Sequence, residues 1–214
     1  MTELEADQDT PAAAERTRER ILASAATLFD RRGYSGTSTR AIAEAVGIRQ
    51  PSMFHHFASK GELMRALLAI SLTPLHDLST GLVGSSGPAG PRLARFGLVA
   101  VQTILGSPFR LGSILDDEVL TNPEFDGQRV QAERLRANVR ALVEEGIAAG
   151  EFVPVDPRTA ALAAEAVLLA GARHHPEGTD IPRYAADVVR LTLRMLLVDC
   201  DRVDDVMVEA GRAG

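Results

Sequence analysis

The residues best suited to chemistry stand close together at Arg49, Gln50, Ser52 and His55. Each carries a group able to address a nucleic-acid base or its backbone. Glutamine pairs bidentately with adenine, and arginine with the O6 and N7 of guanine. Thr39 and Arg40, shortly upstream, bring a hydroxyl and a guanidinium within reach of a phosphate or a flanking base. Catalytic constellations are missing from the sequence. It holds no glycine-rich phosphate loop, no G-x-S-x-G, no Cys/His pair and no H-E-x-x-H. Glu144 and Glu145 are adjacent on a helix and diverge. His174 and His175 are adjacent too and cannot both point one way, whereas good metal-ligand pairs lie about one turn apart, and His76 is elsewhere. No enzyme, cofactor or metal site is expected.

The elements that must position these side chains can be read from periodicity. Ile42, Ala43 and Val46 give one short helix an apolar face. Ile48, Met53, Phe54 and Phe57 give the next helix a face of its own, after a phase change at Gly47. Two short helices about one glycine are the signature of a helix-turn-helix. Ala43 keeps the crossing close, and Gly47 suits a left-handed turn. The second helix starts near Gln50-Pro51, where proline tolerates the first turn. Its first residues would meet base edges in a major groove.

The spaced set Thr37-Ser38-Thr39-Arg40, Ile42-Ala43, Val46-Gly47-Ile48, Phe54-His55-His56-Phe57 and Ser59-Lys60 resembles the TetR family of transcriptional regulators. The upstream stretch Ile21–Phe29 with Gly33-Tyr34 fits the same pattern, so the resemblance covers roughly residues 16–70. It implies that Thr39, Arg40, Gln50, Pro51, Ser52, His55 and His56 face DNA. It also implies that Lys60, the chain's one lysine, touches a phosphate.

Charge is distributed accordingly. The net charge of −6 argues against nucleic acid, yet residues 16–65 hold nine basic against four acidic residues, a local +5. A basic module on an acidic body is the footprint of phosphate contact. The acidic start, MTELEADQDTPAAAE, lacks the features of a secretion signal. No uninterrupted apolar run reaches the ~18–20 residues of a membrane span. Cys200 has no partner for an internal disulfide and reads as a small buried residue. A cytoplasmic protein is expected.

The organisation reads as all-α: an N-terminal three-helix DNA-binding module with the helix-turn-helix, then a C-terminal helical bundle for ligand binding and dimerisation. The expected segments are a disordered acidic leader over 1–15, the DNA-binding domain over 16–58, the ligand-binding and dimerisation domain over 59–200 and a tail over 201–214. A first helix is expected from Thr17 to Arg32, capped by Gly33. Thr37-Ser38-Thr39 offers cap oxygens to the second helix. A fourth helix begins at Ser59, where Glu62 completes a capping box, and ends near Pro74. Ser79–Pro91 reads as a mobile loop. Later helices are expected over Arg92–Leu105, Leu111–Leu120, Glu124–Ala149, Pro157–His174 and Pro182–Asp199.

The last of these is apolar nearly all round and must be buried on more than one face. A second subunit best supplies the other face. A two-fold homodimer through the last two helices is therefore expected, with Leu162, Val167, Val188, Leu191, Met195 and Val198 at the interface. The family resemblance points the same way. It further implies an effector pocket among the fifth to eighth helices, lined by Phe96, Val99, Val101, Leu105, Phe109, Leu115, Val119, Phe125, Arg129 and Leu168. Aromatic residues are only 4% of the chain, so such a pocket would be mostly aliphatic and suit an apolar ligand.

Together these features imply a repressor released from a pseudo-palindromic DNA operator by a small, mostly apolar effector. An activator of the same fold, an effector-free architectural DNA-binding protein, and a small-molecule binding module or enzyme with a vestigial helix-turn-helix are the alternatives.

Overall fold

Helix-forming sequence begins earlier than the acidic leader suggests. In the computed structural model, which describes residues 11–107, 109, 117–173 and 178–212, α1 spans Pro11–Arg32. Pro11 takes a first-turn position, and Ala12–Ala14 are strong helix formers that extend the helix past the expected start at Thr17. Ile21, Leu22, Ala25, Ala26 and Phe29 form its buried stripe. Gly33, with φ +72°, ends it by donating to the Phe29 carbonyl. There follow α2 (Thr39–Val46), α3 (Gln50–Phe54), α4 (Lys60–Val83) and α5 (Ala89–Gly106). Then come α6 (Asp117–Leu120), a one-turn 3-10 helix (Pro123–Phe125), α7 (Asp126–Ala148), α8 (Pro157–Arg173), α9 (Ile181–Leu196) and α10 (Val203–Arg212). Among the described residues no strand forms, and Phe152 and Leu197 make one isolated antiparallel bridge. The fold is all-α, as expected. Leu115, His174, His175 and residues 1–10 lie outside the described residues.

The described residues fall into two compact units. One comprises residues 11–69 together with 109 and 117–126; the other comprises 70–107, 127–173 and 178–212. In the first, α1 packs on α2 and α2 on α3. In the second, α5 packs on α8, α9 and α10, and α8 on α9.

Four expectations about elements need correction. Pro74 does not end α4; it lies inside the helix, which continues to Val83. Leu67, Leu68, Ser71, Leu72, Leu75, Ser79 and Leu82 keep one side of α4 buried across the proline, so packing outweighs the lost hydrogen bond. α4 is also long and apolar enough, by length and composition, to cross a membrane. Its buried side accounts for that apolarity, as in a core helix. Second, the loop after α4 is tied down. Arg92 is buried and donates to the carbonyls of Leu82 (3.2 Å), Ser85 (3.1 Å) and Pro88 (3.1 Å), and it pairs with Glu145. Glu151 accepts from the N–H groups of Ala89 (2.9 Å) and Gly90 (3.0 Å), completing the start of α5. Third, the expected C-terminal tail folds as α10, whose Val203, Val206 and Ala210 are buried at helical spacing. Fourth, Cys200 is exposed.

Gly146, on α7, sits where a side chain has no room. A Cβ there would lie 2.2 Å from the ring of Phe152, which is almost fully buried. Gly146→Ala should therefore cost about 1–3 kcal/mol through overpacking, read from the urea midpoint. An unchanged midpoint would show that the ring moves aside freely.

Candidate nucleic-acid interface

The angle between α2 and α3 is set by a single backbone reversal. Gly47 adopts φ +77°, and the N–H groups of Gly47 and Ile48 donate to the carbonyls of Glu44 (3.1 Å) and Ala43 (3.0 Å). This closes α2 in a left-handed cap that glycine adopts at little cost. Ser38 caps the other end, its Oγ accepting from the Ala41 N–H at 3.1 Å. Thr37 does not act as that cap. It is buried, and its hydroxyl serves the Leu28 and Gly33 carbonyls. Arg20, which the sequence reading passed over, donates to the last α2 carbonyl, that of Val46, at 2.6 Å. Arg18 lies 4.9 Å over the Phe57 ring.

These constraints expose one face of α3. Met53 and Phe57 are buried at i, i+4, whereas Pro51, Ser52, Phe54 and His55 are exposed, as is Arg49 at the N-cap. Gln50 and His56 are half-buried. The expectation that Phe54 packs inward is corrected: it is 42% exposed. One residue on a helix turns the side chain by about 100°, which carries Phe54 past the edge of the narrow buried face that Met53 and Phe57 share. An exposed ring here can make apolar contact with a thymine methyl group. Thr39 opens α2, and its Oγ1 accepts from Gln50 Nε2 at 2.8 Å. Arg40 pairs with Glu44 at 2.9 Å in a solvent-exposed geometry that a phosphate could displace at small cost.

Lys60 has a structural role that its family position did not suggest. Its Nζ donates to the carbonyls of Tyr34 (2.8 Å) and Thr37 (3.0 Å) and stands 4.2 Å from the centroid of the Tyr34 ring. The ammonium thus holds the turn between α1 and α2, and two of its three N–H groups are committed there. The Tyr34 hydroxyl in turn donates to Glu124 Oε2 at 2.9 Å, and Arg65 lies 3.4 Å from Glu124 Oε1. Phe125 meets the Tyr34 ring edge-on at 5.2 Å, and Phe29 meets it at 5.5 Å. Sequence reading could not join Tyr34 to Glu124, because they are remote in the chain and neither belongs to a motif.

The residues expected to line an effector pocket divide between the two units. In the first, Val119 and Phe125 are buried. In the second, Phe96, Val101 and Leu168 belong to a buried cluster against which Val99 and Leu105 pack. Phe109 is half-buried, and Arg129 pairs with Glu133 on its own helix at 2.5 Å. A groove of about 560 Å³ in the second unit is lined instead by Leu78, Leu82, Pro91, Arg95 and neighbours. Among the described residues no group of three His, Cys, Asp or Glu could hold a metal ion.

An exposed recognition helix set by a glycine turn, on a basic module, defines a DNA-binding transcriptional regulator. Comparisons agree. A family model for bacterial regulatory proteins of the tetR family matches residues 21–67. The chain is 30% identical over 155 residues to the HTH-type transcriptional repressor KstR2 of Rhodococcus jostii, covering 71% of this chain and 74% of that one. The tetracycline repressor class C of Escherichia coli is 38% identical over 63 residues, 29% of each chain. The crystal structure of AmtR from Mycobacterium smegmatis matches with a TM-score of 0.78 at 30% identity, covering 92% of this chain and 93% of that one. The chain belongs to the TetR family of transcriptional regulators.

The Tyr34 hydroxyl is pushed up from 10.0 to about 12, first by burial, then by its hydrogen bond to Glu124 and that carboxylate's charge. A pKa raised in the folded state means that folding favours the neutral phenol. That stabilisation is complete below the unfolded value near 10 and is lost as pH rises toward about 12. Tyr34→Phe should lower unfolding free energy by about 1–3 kcal/mol at neutral pH. It should also flatten the fall in stability between pH 10 and 12. Urea titrations at both ends of that window measure this, and an equally steep fall in the variant would exclude Tyr34 as its source.

Proposed function

We propose that this protein is a homodimeric repressor that leaves a pseudo-palindromic operator when a small, mostly apolar effector binds. The observation that carries the reading is the outward face of α3, where Arg49, Gln50, Ser52, Phe54 and His55 stand beside Thr39 and Arg40 of α2. In a two-fold dimer, two such faces about 34–36 Å apart enter successive major grooves. Relatives named as repressors favour repression. A tetracycline repressor matches over 63 residues, and one structural relative is titled a ketosteroid transcriptional regulator. Both names accord with a small-molecule signal. α4 is one continuous helix whose first residue, Lys60, holds the turn before α2. An effector that displaced α4 would therefore alter the placing of α2 and α3, provided it bound the two states differently.

The dimer rests on an apolar surface that the protomer leaves uncovered. Leu162 is 66% exposed on α8, and Leu191 is 63% exposed on α9. Met195 lies one turn beyond Leu191, and Val198 just past the helix end is exposed as well. Val188 is removed from the expected interface, because it is buried in its own unit's core, against which Val167 also packs. Two strips of α9 are thus apolar for different reasons, one for the protomer's core and one for a partner.

The intact protein should bind a duplex from its own upstream region with an affinity that falls steeply with salt. Arg49→Ala should weaken that binding and, if the contact is to phosphate, reduce the salt slope by about 1. Loss of all sequence preference in the wild-type protein would defeat the reading. Leu191→Glu should give a monomer by light scattering and weaken operator binding. A variant that stayed dimeric would move the interface elsewhere.

A further inference from the structure

We propose that Thr39 is a positioning residue for base recognition: by holding one N–H of the Gln50 amide, it makes that side chain read adenine and reject guanine. The inference rests on the operator-binding function proposed above and specifies one element of its address.

Thr39 opens α2 and Gln50 opens α3, so the two are neighbours only because the Gly47 turn folds one helix start toward the other. Gln50 Nε2 donates to Thr39 Oγ1 at 2.8 Å. Both residues are half-buried, while Arg49, Pro51 and Ser52 around them are exposed. The bond therefore sits at the foot of the outward face, between the starts of α2 and α3.

Hydrogen-bond inventory decides what this amide can recognise. A glutamine amide has two N–H donors and a carbonyl acceptor. With one N–H committed to Thr39, one N–H and the carbonyl remain. That is the complement of the adenine major-groove edge, whose N7 accepts and whose N6 donates. Guanine presents two acceptors, N7 and O6, and would leave the Gln50 carbonyl facing an acceptor. An amide free to rotate could turn its NH2 group toward guanine. One tied to Thr39 cannot do so without breaking its bond. The tie also removes rotamer freedom before DNA arrives, so less is lost on binding. Pro51 fixes the backbone immediately after Gln50, which limits compensation by the main chain.

Thr39→Val keeps the shape and removes the acceptor; Thr39→Ser keeps the acceptor. Duplexes selected by the intact wild-type protein from a randomised pool would be tested by changing each base pair singly, A·T to G·C included. Wild type and Thr39→Ser should discriminate adenine from guanine at one symmetric pair of positions by between about fivefold and a hundredfold. Thr39→Val should lose most of that preference there and nowhere else, with its salt slope unchanged. If Thr39→Val instead weakened binding to every duplex alike, or kept the wild-type base profile, the proposal would be overturned. If Gln50→Ala altered no base preference, Gln50 would not be the reader, and the proposal would fall while operator binding stood. Absence of any selected sequence would overturn the functional reading itself.

Discussion

A single ammonium group, that of Lys60, holds together the part of the chain that addresses DNA. It stands at the first residue of α4 and donates to two carbonyls of the turn between α1 and α2, those of Tyr34 and Thr37. Those carbonyls lie just before the start of α2, and Ser38, between them and the helix, caps it. The start of α2 carries Thr39, which in turn holds Gln50. A charged donor in a partly buried site makes stronger hydrogen bonds than a neutral one. The Tyr34 ring beneath it adds a cation–π attraction, which grows as water is excluded.

The same ring links this turn to a segment distant in sequence. Tyr34 carries Lys60 over its face, Phe125 at its edge and Glu124 on its hydroxyl. Arg65 stands on the other side of that carboxylate. Glu124 is itself exposed, so water shares in solvating its carboxylate. Here it takes one hydrogen bond from Tyr34 and the charge of Arg65. Gly61 leaves the space that Glu124 occupies, because a Cβ there would meet its Oε1 at 1.6 Å. The residues that frame the recognition helix are thus drawn from α1, α4 and the 3-10 turn as well as from the helix-turn-helix itself.

The second unit solves a different problem, that of covering long apolar helices. Gly97 lets α5 approach closely, with Val189 and Leu168 at 3.0 and 3.3 Å from where a Cβ would stand. Gly171 does the same for Val188, so the small residues of α8 serve packing within the protomer. Buried Arg92 donates to the carbonyls of Leu82, Ser85 and Pro88, from the end of α4 to the start of α5, which makes a glycine- and serine-rich stretch a fixed corner.

Local signals carried much of the fold. The i, i+4 spacing of Met53 and Phe57, the αL glycine at position 47 and the Ser59/Glu62 capping pair act over a few residues, and each could be read directly. Helix type, the helix-turn-helix and the outward setting of Arg49, Ser52 and His55 were therefore determined by sequence alone. Where competing forces act at longer range, sequence was a poor guide. Pro74 sits inside α4 because a continuous buried side outweighs one lost hydrogen bond. Phe54 is exposed because apolar type does not fix direction, whereas helical phase does. Val188 and Leu191 look alike in the chain, yet one lies in the core and the other on the surface. Lys60 could be expected to seek an anion, but only the tertiary structure offers it two carbonyls and a ring. Composition and periodicity state what each segment is capable of; which partner satisfies each polar group is decided only when distant segments compete for it in space.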